Sequence, residues 1–270
     1  MSLALSGVGY RYAGAAQPSL FEIDLDLADG EVVGVVGPSE AGKTTLCLVA
    51  SGLAPRTVGG HIRGRITLGG EDTDAWPMHR LSQRIGIGFQ NPSTQLSQVA
   101  GTVFEEVAFG PMNLAVPRDE VVARTWSALD ALGIEDLAER DPRHLSGGQQ
   151  QLVAMAGLLA MRPKHLVLDE PTAQLDPAGT RMVADAISRL ASDGTSILVT
   201  EQKTDLLAAV ASQVVVLFEG RIALRGPAGE VLGDARLSEL GVAEPAAIRL
   251  RRAAVAAGID AGRLEAALHD

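Results

Sequence analysis

Only three of the 23 basic residues in this 270-residue chain are lysines: Lys43, Lys164 and Lys203. The first stands in the run Gly37-Pro38-Ser39-Glu40-Ala41-Gly42-Lys43-Thr44-Thr45. In a chain that otherwise uses arginine, a lysine inside a glycine-rich loop points to a need for a compact ammonium. Such a group fits between phosphate oxygens where the wide guanidinium fork does not. The run matches G-x-x-x-x-G-K-[ST], with the apolar strand-like segment Glu31–Val36 before it and the helix-like segment Thr44–Ser51 after it. In that context successive backbone N–H groups and a helix N-terminus cradle a chain of phosphates. Lys43 then reaches the β- and γ-oxygens, and the Thr44 hydroxyl ligates Mg2+. Residues 37–45 are therefore the expected contacts to a nucleotide.

A second constellation is Leu166-Val167-Leu168-Asp169-Glu170-Pro171. Its apolar start reads as a buried strand, so Asp169 emerges at the C-terminal edge of a sheet, where sites of α/β folds lie. From there it can hold Mg2+ through water, while Glu170 can polarise an attacking water as a general base. A third is Ser146-Gly147-Gly148-Gln149, just before the apolar helical segment Leu152–Ala160. A hydroxyl and unhindered N–H groups opening a helix make a second phosphate-binding end.

The elements that must position these groups are legible as periods. Residues 3–9 and Leu20–Leu27 alternate as half-exposed strands, with further strands expected at Arg65–Leu68, Ile85–Phe89, His165–Leu168 and Thr195–Thr200. A helix is expected at Gly179–Ala191, and a closing hairpin at Val214–Phe218 and Arg221–Leu224 around Glu219-Gly220. Between Pro92 and Gly148 apolar residues recur three and four apart, which reads as helical. Beyond residue 236 the chain turns Ala-, Leu- and Arg-rich with helical spacing. The architecture expected is an α/β sheet core with a helical insertion at about residues 91–150.

Composition narrows the class. A net charge of −10 argues against a duplex nucleic-acid binder, which needs clustered Lys and Arg. No apolar run approaches the roughly 18 residues of a membrane helix, and the start lacks the pattern of a signal peptide. Cys47 is the only cysteine, so no disulfide framework is available. The expectation is a soluble cytosolic protein.

The motif order narrows the family. The phosphate loop is followed by Leu145-Ser146-Gly147-Gly148-Gln149, a helix, and then Asp169-Glu170. The chain so resembles the ABC ATPase family over residues 1 to about 230. The resemblance implies a P-loop NTPase core with an antiparallel β subdomain, a helical insertion and a short C-terminal helical appendage. It sets an ABC ATPase domain at 1–235 and an extension at 236–270 that resembles a short dimerisation element. It implies that the chain binds ATP and Mg2+, hydrolyses ATP and pairs with a second ABC ATPase subunit, so that Ser146, Gly147, Gly148 and Gln149 meet the partner's nucleotide. Gln90 looks like the glutamine that ligates Mg2+ and senses the membrane partner, Tyr12 like the aromatic that stacks on adenine, and Ala173–Asp176 like the D-loop.

The stretches Gly88–Leu96 and Val103–Leu114 resemble the ATPases of energy-coupling factor (ECF) and cobalt-type importers. That resemblance implies vitamin or transition-metal uptake, a transmembrane coupling subunit, a substrate-binding membrane subunit, and a peripheral place on the cytoplasmic face of the membrane. It also allows Glu105 and Glu106 to meet basic helices of the membrane partner, with an ordinary solvated helix start as the alternative. Two positions depart from the family pattern. Gln202, with Glu201 as the alternative, stands where a switch histidine is usual, and Glu40 stands where glycine is usual. None of His61, His79, His144, His165 and His269 substitutes from nearby sequence. These departures leave open a nucleotide-gated, weakly hydrolytic half of a heterodimer, or the ATPase of another ABC transporter type. An ABC protein acting on DNA or ribosomes fits less well, lacking a coiled-coil insertion, a second cassette or a basic patch.

Overall fold

A computed structural model describes residues 2–257. In chain order the elements are β1 (Leu3–Arg11), β2 (Leu20–Leu27), β3 (Val32–Val36), α1 (Lys43–Ala50), α2 (Leu53–Arg56), β4 (His61–Leu68), β5 (Glu71–Asp72), α3 (Met78–Ser82) and β6 (Ile85–Gly88). They continue with α4 (Val103–Asn113), α5 (Arg118–Ala131), α6 (Gly147–Met161), β7 (His165–Asp169), α7 (Pro177–Ser192), β8 (Ser196–Thr200) and α8 (Thr204–Val210). The hairpin β9 (Gln213–Phe218) and β10 (Arg221–Pro227) follows, then α9 (Ala228–Leu232) and α10 (Ala246–Ala256).

The strands form two sheets. One is antiparallel, in the order β2-β1-β4-β5; the other runs β10-β9-β3-β8-β7-β6, with β9, β3, β8, β7 and β6 parallel. The central strands are buried on both faces, and side-chain alternation sorts them between two cores. Val33, Val35, Val167, Leu198, Val215 and Leu217 face the core shared with α1 and the antiparallel sheet. Val32, Val36, Leu166, Leu168, Ile197 and Val199 face the core built with α4 to α9. Because the central strands are parallel, their C-terminal ends share one edge. Pairing sets Val35 beside Thr200, and Thr200 beside Asp169.

The helical stretch is more broken than its periodicity suggests. α4 and α5 occupy part of it, and much of the rest is irregular or 3-10 turn. α5 is amphipathic, burying Val121, Thr125, Ala128 and Leu129 on one stripe. α4 opens on a capping box in which the Thr102 hydroxyl and the Glu105 carboxylate satisfy each other's backbone N–H groups. Glu105 is thereby occupied at its own helix start. Glu106 is buried and accepts hydrogen bonds from the Ser97 N–H and hydroxyl, at 2.6 and 2.7 Å. Of the two carboxylates, Glu106 is withdrawn from a partner by burial in its own loop, whereas Glu105 caps its helix from an exposed position. Of the C-terminal extension, α10 is described and residues 258–270 lie outside the described residues.

Candidate functional site

β3 delivers the chain into the loop Gly37–Gly42, and α1 starts at Lys43. Gly37 is required sterically, since a Cβ there would lie 2.2 Å from the Leu217 carbonyl oxygen. Gly42 is left-handed at φ 103°, which a side chain would strain. Glu40 is also left-handed, at φ 65°, with its side chain exposed. That geometry is the physical reason a glycine suits position 40. Pro38, Ser39 and Ala41 complete the loop, with Ser39 exposed and Ala41 buried.

The Lys43 ammonium is 6% exposed and donates to the carbonyls of Gly37 and Pro38, at 2.9 and 3.1 Å. It lies 3.7 Å from Glu170 Oε1. Glu170 stands just beyond β7 with φ 48°, a strained backbone for a residue with a side chain. Gln90, just beyond β6, donates its amide to Glu170 Oε2 at 2.8 Å. Gln202, just beyond β8, donates to both carboxylate oxygens at 3.1 and 3.3 Å. Four residues far apart in sequence, Lys43, Gln90, Glu170 and Gln202, thus meet around one carboxylate at the C-terminal edge of the sheet.

Asp169 is buried beside this group, its Oδ1 accepting from the Thr200 hydroxyl at 2.8 Å. The Thr44 side chain is exposed at the start of α1. The Thr44 hydroxyl, the Asp169 carboxylate and the Gln90 carboxamide are hard oxygen donors, a set that fits a small divalent cation such as Mg2+. The loop fits a phosphate chain: an ammonium, a left-handed glycine and a helix start converge with no room for a side chain at Gly37.

Two assignments left open in the sequence separate here. Glu201 is 2% exposed and bonds to Thr172, accepting from its N–H at 3.0 Å and its hydroxyl at 2.6 Å. Burial pushes its carboxyl up from the ordinary range, against the lowering by its Thr172 hydrogen bonds. Gln202 is the residue that reaches the site. Tyr12 is half-buried and its hydroxyl lies 3.1 Å from the Thr45 hydroxyl, with its ring edge-on to Tyr10. Tyr12 therefore borders the first turn of α1. The sequence reading missed Thr172, Thr200 and Gln95. Gln95 accepts from the Phe89 N–H at 3.0 Å and so orders the segment that carries Gln90. Their only sequence signal was proximity to the named motifs.

Ser146 caps α6, its hydroxyl accepting from the Gln149 N–H while Gln149 Oε1 accepts from the Ser146 N–H. Ser146 and Gly147 are exposed, and Gly148 lies beneath the Gln174 carbonyl. Among the described residues no hydrogen bond or ion pair links this end to the Lys43–Glu170 group.

A model of the ABC transporter family matches residues 20–173. The energy-coupling factor transporter ATP-binding protein EcfA of Methanosphaera stadtmanae is 38% identical over 227 residues, covering 83% of this chain and 79% of that protein. The EcfA2 protein of Symbiobacterium thermophilum, bearing the same description, is 38% identical over 237 residues, covering 87% and 81%. The structure of CbiO1 from Clostridium perfringens, described as part of the ABC transporter complex CbiONQ, superposes with a TM-score of 0.75 at 32% identity. It covers 88% of this chain and 92% of that one. A phosphate loop, a caged carboxylate and a capped helix end, arranged on the fold these relatives share, place this chain in the ABC transporter family as an ATP-binding subunit and ATPase akin to the energy-coupling factor cassettes.

Proposed function

We propose that this chain powers import by an ECF-type transporter of a vitamin or a transition-metal ion, as a peripheral subunit on the cytoplasmic face of the membrane. The observation that carries the mechanistic part is the convergence of Lys43, Gln90 and Gln202 on Glu170. In this reading Lys43 exchanges its loop carbonyls for phosphate oxygens, and residues 37–45 wrap the phosphates with their N–H groups. Tyr12, beside Thr45, offers its ring to the adenine. Thr44, Asp169 and Gln90 would hold Mg2+, which would supply neutralisation of phosphate charge. Glu170, released from its donors, orients and deprotonates the attacking water.

Ser146, Gly147, Gly148 and Gln149 then serve the nucleotide of a second ABC ATPase subunit, and the two subunits form paired composite sites. Support for a membrane partner comes from a cavity of about 400 Å³ between β6, α4 and α6. Ile87, Leu96, Phe109, Leu158 and Met161 line it, and its apolar wall suits a helix of a transmembrane coupling subunit. Among the described residues no helix is long and apolar enough to cross a membrane, so transport in this reading belongs to that subunit and to a substrate-binding membrane subunit.

Gln202 favours a more specific form, a heterodimer in which this chain's own site is slow. A carboxamide can donate to Glu170 or to a phosphate but cannot become cationic as a histidine does. Purifying the tagged chain from its native membranes tests the assembly. The expected result is co-purification of a different ATPase and a membrane coupling protein. Recovery of this chain with copies of itself alone, in a complex that transports, rules out the heterodimer.

A further inference from the structure

Glu201 has no part in the mechanism above, yet its backbone and its buried carboxylate together join segments that surround the reacting centre. Its backbone N–H donates to the Val35 carbonyl at 3.0 Å, extending the sheet to the end of the strand that feeds the phosphate loop. Its side chain accepts both the N–H and the hydroxyl of Thr172, two residues beyond Glu170. Its neighbour Gln202 turns the other way and donates to Glu170. Successive residues at a strand end point to opposite sides, so one extended dipeptide grips the Glu170 turn from beneath and from the front.

That turn needs support. Glu170 holds a left-handed backbone that a non-glycine residue adopts only when its surroundings over-determine it. Its own N–H donates to the Thr200 carbonyl, and its carbonyl accepts from the Ala173 N–H at 3.2 Å. The Thr172 pair to Glu201 supplies the remaining anchor. A carboxylate 2% exposed, with two short donors from one threonine, is a costly group to bury without a purpose in positioning.

We infer that Glu201 is a positioning residue for ATP hydrolysis: through Thr172 it fixes the backbone of Glu170, and through Val35 it fixes that carboxylate relative to the phosphate loop. The inference rests on the reading of Glu170 as the general base.

Single-turnover ATP hydrolysis by the full chain, with nucleotide affinity measured in parallel by calorimetry, tests it. Glu201→Ala is expected to lower the hydrolysis rate constant by about tenfold to a hundredfold, the range typical of a misplaced catalytic group, with affinity unchanged. Glu201→Gln keeps the carbonyl that accepts from Thr172 and should retain most of the rate. Thr172→Val, nearly isosteric, should reproduce the alanine defect even where Glu201→Ala folds poorly, and Thr172→Ser should restore activity. Equal losses of rate and affinity, a glutamine variant as slow as alanine, or an unaffected Thr172→Val overturns the inference. Glu170→Gln assayed alongside separates the two ideas. If it leaves the rate intact, the general-base reading fails; if it lowers the rate while Glu201→Ala and Thr172→Val do not, only the role of Glu201 fails.

Discussion

The two ends proposed to face phosphate differ in how much of their chemistry one chain completes. Around Lys43 and Glu170 the ammonium and the carboxylate are buried and face each other, and the exposed Gln90 and Gln202 donate to that carboxylate. At Ser146 and Gly147 the helix end is exposed, and the Ser146 side chain and N–H are paired with Gln149 in the capping box. A self-satisfied charge cluster can stand alone. An exposed helix start with its positive dipole end free is stable alone too, but it acquires a function only when an anion arrives. In the proposed function, the contrast is between a centre held at rest and a half-site for a second chain.

The largest expected effect tests the first end. Lys43→Ala removes the ammonium that fills the phosphate loop and should abolish ATP binding in calorimetry, with circular dichroism unchanged. Affinity equal to that of the unaltered chain would mean that the loop does not bind phosphate through Lys43.

A direct comparison of the two ends comes next. In the assembled complex, Ser146→Arg should abolish uptake, because a guanidinium placed at the helix start blocks the second chain's nucleotide. Glu170→Gln should reduce uptake only modestly if this chain's own site is the slow one. At that site a lost transition-state contact costs about 2–4 kcal/mol, or two to three decades in rate. Gln202→His, alone or with Glu40→Gly, should raise its hydrolysis. Equal damage from Ser146→Arg and Glu170→Gln would show that both ends carry flux and that Gln202 is a benign substitution.

The smallest effect concerns the opposite end of the strand that carries Asp169. His165 starts β7 fully buried, neither ring nitrogen has a hydrogen-bond partner among the described residues, and burial first of all holds its pKa down at about 4. The unfolded chain, with an ordinary histidine near about 6.5, binds the proton more readily. Stability from this group is therefore complete above about 6.5 and declines as pH falls toward about 4. Thermal melts across that window should show the decline, and His165→Leu or His165→Phe should flatten it. A pH dependence unaltered by these changes would locate the acid sensitivity elsewhere.

Much of the nucleotide end was legible without coordinates. The phosphate loop, the strand ending in Asp169-Glu170 and the Ser146 helix start are contiguous segments whose chemistry depends on local backbone form. Fixed spacing along the chain is enough to specify them. The helix at Thr204–Val210 and the breaks between residues 95 and 146 were not legible, since short helices and turns are decided by what they pack against.

What the sequence by itself determined is which residues could touch phosphate, because a glycine-rich loop between a strand and a helix makes that site locally. Only the tertiary structure decided how the rest are divided. Gln202 rather than Glu201 reaches Glu170, Glu106 turns inward to Ser97, and Tyr12 lies against Thr45. Each of these outcomes depends on which side of a strand end or helix a residue leaves, and on a partner distant in sequence. Spacing along one segment carries no information about that partner. The register of β3, β8 and β7, set by burial of both sheet faces, supplies it by placing Val35, Thr200 and Asp169 in one row.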